Sequence, residues 1–232
     1  MLAFIPARGG SKEVPQKNLA LLGGQPLIAH TLKAAQDSQH ITQIFVSTDD
    51  DEIANCCEGL GVSVPYRRPV ELATDSAKTR DAVLHGLAWL ESQNKTFDRS
   101  IVLLQPTSPF RTARHIDLAF AKFLELRAES LVSVSPVTES PYNLVEIDNK
   151  SCTFLLDQSG LPRPRQDFER TFYLINGAIF MFSREFINRE NHFVVEDKTL
   201  PYIIERPYGF DIDSLEDLII ARTLFDHGLE SQ

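Results

Sequence analysis

Apolar positions along the chain switch between two periods. Residues 2–6 form a short apolar run that reads as a strand, and a Gly/Ser/Lys loop follows it. Residues 26–35 carry apolar side chains at helical spacing, 43–47 read as a strand, and 50–58 as a helix that Asp49 or Asp50 caps. A further strand is expected at 62–64. Residues 78–93 put Val83, Leu84, Leu87 and Leu90 on one helical face, 100–104 are a buried strand, 113–126 an amphipathic helix and 131–135 a strand. Strands alternating with helices in this way predict a Rossmann-like α/β fold, a mostly parallel sheet flanked by helices on both faces. The rhythm breaks at about 137–173, around Pro136, Pro141, Pro162 and Pro164, and a small lobe or dimer arm is expected there. Beyond it, 175–182 read as a strand and 215–225 as a closing helix.

At 232 residues the expectation is one domain with that excursion. The formal charge is −9, from 23 Lys+Arg against 32 Asp+Glu. A nucleic-acid reader needs a basic face, so that partner class is disfavoured. An anionic small substrate is not, because a basic pocket can sit inside an acidic protein. Cys56, Cys57 and Cys152 are too few and too unevenly spaced for a disulfide framework or a zinc cluster, and read as reduced packing residues. The six histidines (His30, His40, His85, His115, His192 and His227) fall into no nucleophilic arrangement and read as structural or surface residues. The first residues lack a basic leader, and no apolar run approaches the ~20 residues of a membrane span. A soluble, cytoplasmic protein with no membrane partner is the expectation.

Three constellations carry chemistry. The loop Ala7-Arg-Gly-Gly-Ser-Lys12 leaves the first strand at the sheet edge where open α/β folds bind ligands. Gly9 and Gly10 would let the backbone turn with positive φ and approach an anion, whose charge Arg8, Lys12 and Lys17 would balance. A solvated Gly/Lys turn has the same composition. Asp211-Ile-Asp213 has period-two spacing, so on an extended segment both carboxylates share a face and suit Mg²⁺. Equally, Asp213 or Ser214 would cap the final helix and leave Asp211 merely exposed. Gln105, Thr107 and Ser108 follow a buried strand and offer neutral groups for sugar hydroxyls, or form a proline-stabilised turn. Arg111 reads as a surface cation at a helix start.

Taken together these segments are far more specific. Ile5-Pro-Ala-Arg-Gly-Gly-Ser-Lys12, Lys17-Asn18 and Gly24-x-Pro-Leu-Ile28 resemble the signature of the CMP-sugar synthetases, the acylneuraminate cytidylyltransferases that activate sialic acid and related nonulosonic acids. The resemblance continues through Ser47-Thr-Asp-Asp50, Arg68-Pro-Val-Glu-Leu72, Leu104-Gln-Pro-Thr-Ser-Pro-Phe-Arg111, Arg165-Gln-Asp167, Asn176-Gly-Ala-Ile179 and Asp211-Ile-Asp213, in the family's order. It implies a fold of the nucleotide-diphospho-sugar transferase type with a dimerisation excursion. It also implies CTP and a sugar acid as substrates, a homodimer, and Mg²⁺ or Mn²⁺ as cofactor. By resemblance Ala7, Arg8, Gly9, Gly10, Ser11, Lys12, Lys17, Asn18, Arg68 and Thr79 hold the nucleotide. Gln105, Thr107, Ser108, Arg165 and Asn176 hold the sugar, and Asp211 and Asp213 the metal. Arg8, Lys17 and Asp211 are the expected catalytic residues.

Two features bear on the substrate. The related Kdo-activating enzymes usually follow the second loop lysine with proline, whereas Asn18 stands here, which favours the sialic-acid branch. Many sialic-acid enzymes carry an arginine two residues before the Asn-Gly-Ala asparagine, where this chain has Leu174. Leucine cannot replace a bidentate arginine, so Arg163 or Arg170 supplies the cation or the acid differs. The expected reaction is in-line attack of the sugar's anomeric hydroxyl on the α-phosphate of CTP, with pyrophosphate leaving and no protein nucleophile. The alternatives are a Kdo-type or other sugar-acid cytidylyltransferase and a non-catalytic nucleotide-binding protein.

Overall fold

The apolar run at the start of the chain becomes β1, Leu2–Pro6, and it is apolar throughout because both of its faces are covered. The computed structural model describes residues 1–93, 96–156 and 171–229. In it Ala3 and Ile5 share a core with α1 (Leu27–Asp37), α2 (Asp51–Gly59) and α4 (Ala113–Glu125). Leu2 and Phe4 point the other way, onto α3 (Thr79–Ser92) and α5 (Arg184–Glu190). Asp50 caps α2, its carboxylate accepting from the amides of Glu52 and Ile53.

Two short hairpins stand outside the main sheet: β2 (Leu21–Leu22) with β3 (Gln25–Pro26), and β7 (Val145–Asp148) with β8 (Ser151–Phe154). The other strands are β1, β4 (Gln43–Ser47), β5 (Ser100–Leu103), β6 (Ser130–Pro136), β9 (Tyr173–Ser183) and β10 (Thr199–Ile203). They form one sheet in the order β10-β6-β9-β5-β1-β4. Every pairing that excludes β9 is parallel, and β9 runs antiparallel to both β5 and β6. The mostly parallel sheet is therefore present, with one reversed strand at its centre. A final helix, α6 (Leu215–Asp226), closes the described chain. No described helix is long and apolar enough to cross a membrane.

The expected strand at 62–64 is absent. Val62 and Val64 are buried in the core beside α2, but the segment joins no sheet. Its alternation reports burial of every second side chain, not a ladder. The cysteines also divide: Cys57 is buried, but Cys152 is exposed on β8. Helix α5, strand β10 and the β2–β3 hairpin are absent from the sequence reading.

A third apolar cluster bears most directly on function. Val14 of the first loop, Leu22, Leu27, Phe110, Ile212 and Leu218 pack together. That cluster brings residues near the two ends of the chain to the same edge of the sheet.

Candidate active site

Strands β1, β4, β5, β6 and β10 all end at this edge, and β9, being reversed, begins there. The 7–18 loop is drawn across it by its own backbone. The Ala7 amide extends the ladder by donating to the Ser47 carbonyl at 2.9 Å, and the Gly9 amide donates to Asp49 Oδ1 at 3.0 Å. Neither Gly9 nor Gly10 has a positive φ, which corrects the expectation. Gly9 is required for another reason: a Cβ there would lie 2.4 Å from Asp50 Oδ2. At Gly10 a Cβ would meet nothing within 4 Å, so this stretch of backbone is open to a ligand.

The loop cations have carboxylate partners that sequence reasoning missed. Arg8 pairs with Asp75 at 3.0 Å and Lys12 with the other oxygen of Asp75 at 2.7 Å. Their ammonium and guanidinium hold the Asp75 carboxyl below its usual range. Asn18 is buried and donates to the Arg8 carbonyl at 2.8 Å, which fixes the loop's shape. Arg68 is buried beneath β4, with Nε donating to Ser47 Oγ at 3.0 Å and Nη2 to the Ser47 carbonyl at 2.5 Å. Burial pushes its guanidinium down, opposed by the charge of Asp49. Thr79 is the first residue of α3, close in sequence to Asp75.

Lys17 reaches across to the acidic pair. Its Nζ donates to the Ile212 carbonyl at 2.9 Å and lies 3.4 Å from Asp213 Oδ1. The Ile212 amide donates to the Thr107 carbonyl at 2.9 Å, so the 211–213 segment is held from both sides. Ser214 caps α6 in a reciprocal box with Asp217, and Asp213, 79% exposed, is free of that duty. Asp211 is not merely exposed either. Its Oδ1 is buried with no hydrogen-bond partner. Desolvation pushes its carboxyl up, a hydrogen bond from Thr107 opposes this, and the charge of Asp213 adds to it.

An unpartnered buried carboxylate oxygen beside a second, exposed carboxylate fits a hard divalent cation that keeps waters and shares phosphate oxygens. No group of three or more possible ligands occurs among the described residues.

Gln105 and Asp211 flank Gly177, where the chain takes φ +75°. A Cβ at Gly177 would lie 2.9 Å from Gln105 Oε1 and 3.7 Å from Asp211 Oδ2. Asn176 is buried and engaged: its Oδ1 accepts from Ser133 Oγ at 2.5 Å and from the Ala178 amide at 3.1 Å, and its Nδ2 donates to Ser135 Oγ at 2.8 Å. Gly209 packs so closely on this network that a Cβ would lie 2.4 Å from Asn176 Nδ2. The structure does not bring Ser108 to the surface of the site. A turn closed by its amide on the Gln105 carbonyl buries the side chain completely.

Arg111 is the clearest correction. It is fully buried, not a surface cation, and ties the Gln105 and Ala178 carbonyls to the Thr31 hydroxyl. Burial pushes its guanidinium down to about 9. Arg165, and with it Arg163 and Arg170, lies outside the described residues. Asp49 stood within a quoted motif and was readable as a site residue. Gly177 likewise lies within the Asn176-Gly-Ala-Ile179 segment, whereas Asp75 and Gly209 carried no local signal, because their importance comes from contacts distant in sequence.

A sequence profile of the family described as Cytidylyltransferase matches residues 2–217. A CMP-N,N'-diacetyllegionaminic acid synthase of Legionella pneumophila is 36% identical, over 100% of this chain and 98% of that protein. An N-acylneuraminate cytidylyltransferase of Streptococcus agalactiae is 34% identical over 100% of this chain, which spans only 55% of that longer protein. Among solved structures, a CMP:2-keto-3-deoxy-manno-octonic acid synthetase complexed with CTP superposes with a TM-score of 0.70. It covers 97% of this chain and 98% of its own at 15% identity, a likeness of fold.

The buried Asp211 carboxylate has a stability consequence. Its raised value means the folded state binds the proton more tightly than the unfolded chain. Its contribution is therefore favourable at low pH and is lost as pH rises through the folded value. Asp211→Asn is expected to raise the unfolding free energy by about 1 kcal/mol at neutral pH. The gain should shrink as pH falls toward about 3.9, the unfolded aspartate value. Urea titrations of both proteins across that range check it, and a destabilised Asp211→Asn at neutral pH would contradict the assignment.

Proposed function

Because the chain belongs to the cytidylyltransferase family, we propose that it transfers the cytidylyl group of CTP to the anomeric hydroxyl of a sialic-acid-like nonulosonic acid and releases pyrophosphate. It is a nucleotidyltransferase by family. The observation that carries the reading is the junction at Lys17, where the 7–18 loop meets Asp211 and Asp213. The acceptor class is supported by relatives named for a diacetyllegionaminic acid and for N-acylneuraminate.

In this reading the triphosphate lies along the loop. Arg8 and Lys12 exchange the shared Asp75 carboxylate for phosphate oxygens, and the open backbone at Gly10 and Ser11 donates amides. Asn18 keeps the loop in register, and Arg68 holds the floor beneath the nucleotide from its place on Ser47. Gln105 and Thr107 orient the acceptor's polar groups. Asp211 and Asp213 hold Mg²⁺ or Mn²⁺, which supplies charge offset for the triphosphate and polarisation of the α-phosphate. The anomeric hydroxyl gives its proton to water as its oxygen bonds to the α-phosphorus, in line with the breaking bond to pyrophosphate. The protein contributes positioning and charge, with no covalent intermediate.

The same reading puts the enzyme in the cytoplasm and pairs it with a second copy through the 137–173 excursion, with Arg165 in that arm. Support for pairing comes from the β7–β8 hairpin, whose Ile147 and Phe154 are 77% and 53% exposed. Exposed aliphatic and aromatic groups on a projecting arm are the usual mark of an interface. Light scattering is expected to give a dimer mass, and a monomer at micromolar concentration would remove the arm's role.

The catalytic test is pyrophosphate release from CTP and Mg²⁺ with a panel of sialic, legionaminic, pseudaminic and Kdo acids. Release with one or more of the nonulosonic acids is expected, and Asp211→Ala should lower it at least about 100-fold. Silence on every acid would overturn the enzyme reading. Release with Kdo alone would overturn the acceptor class, and full Mg²⁺-dependent turnover by Asp211→Ala would remove the metal role.

A further inference from the structure

A cavity of about 620 Å³ opens directly at the acidic pair, lined by residues of β6, the segment after it, β9 and the approach to Asp211. None of the described residues that line it belongs to the 7–18 loop, so on the cytidylyltransferase reading, which this inference rests on, its occupant is the acceptor. Two properties of its walls define that acceptor's chemistry.

The first is charge. Glu139, Asp211 and Asp213 all line the cavity. A carboxylate entering beside them is repelled unless a cation offsets the field. Lys17 is engaged by the Ile212 carbonyl and Asp213. Arg206 is the one cation among the described lining residues, and among the described residues no ion pair or side-chain hydrogen bond holds its guanidinium. A planar fork of donors left free on a cavity wall matches a carboxylate in bidentate geometry.

The second is apolarity. Leu144 and Leu174 present large aliphatic side chains to the cavity, and Leu174 is 64% exposed. Phe210 and Val137 extend the same surface. A chain of hydroxyls pressed against it would lose water without gaining hydrogen bonds, which is costly. A methyl group placed there covers apolar area and is favoured.

We propose that Arg206 binds the carboxylate of the acceptor, and that Leu144 and Leu174 select sugar acids whose substituents end in methyl groups, as acylamido and deoxy positions do, over fully hydroxylated ones. Leu174 is then a specificity residue that widens an apolar wall, and the cation for the acid comes from the loop before Asp211.

Steady-state kinetics on the full-length protein test both parts, with a di-N-acylated nonulosonic acid and a fully hydroxylated ulosonic acid as acceptors. The acylated acid is expected to give the higher kcat/KM. Arg206→Ala should raise the KM for that acid about 10- to 100-fold while CTP affinity, read by calorimetry, stays unchanged. Arg206→Lys should recover part of the loss. The carboxamide analogue of the acid should inhibit the native enzyme far more weakly than the acid itself, and Arg206→Ala should erase that difference. Leu174→Asn should narrow the preference for the acylated acceptor. An unchanged acid KM in Arg206→Ala overturns the carboxylate assignment alone, and a preference for the hydroxylated acid overturns the role of the wall. Absence of turnover with any acid, with CTP still bound, overturns the transferase reading and this assignment with it.

Discussion

The site depends on one ammonium group placed between two distant stretches of chain. Lys17 belongs to the loop that follows the first strand, and its Nζ is anchored on the Ile212 carbonyl. Val14 and Ile212 share an apolar cluster just beside it. The contact therefore has a dry neighbour on one side and the acidic pair on the other. Without it the loop cations and the carboxylates would belong to separate surfaces. With it the loop and the carboxylates meet at the carboxyl edge of the sheet. The orphaned Oδ1 of Asp211 is a cost that the fold carries at that point, and sites that bind charge commonly carry such costs.

Behind the junction, the reversed strand β9 sets the floor. Running antiparallel between β5 and β6, it starts where its neighbours end, and so brings Leu174, Asn176 and Gly177 to the ligand edge. The register shift opposite Val132 and Val134 is filled by Ser133 and Asn176, which satisfy each other and the adjacent amides. Arg111 then ties β9 to the loop after β5 and to α1. A buried guanidinium held by carbonyls is rigid, because each donor released would lie unsatisfied. Asn176 and Arg111 thus fix the start of β9 and its spacing from β6 and from the backbone of Gln105.

Much of this was legible in the sequence, for reasons that can be separated. The strands and helices were readable where one face or both are buried, as in β1, β4 and α3, since burial imprints its period on the chain. The Asp50 cap was readable because its chemistry is local. The direction of β9 was not, because an apolar run has no sign. The segment at 62–64 misled because alternate burial looks the same with and without a partner strand. At Gly9 the choice of glycine was legible, but its cause was not: the constraint is the nearness of Asp50, not a left-handed backbone. Arg111 and Asp75 show the general limit. A charged residue's meaning depends on what lies opposite, and their partners come from elements far along the chain.

The central claim is that the 7–18 loop and the 211–217 segment form a single nucleotide site joined at Lys17. Hydrogen–deuterium exchange, with and without CTP and Mg²⁺, measures it directly, since bound ligand slows local opening only where it makes contact or stiffens the backbone. Amides in both segments are expected to gain protection together. Protection confined to the 7–18 loop, with 211–217 exchanging as before, would contradict it.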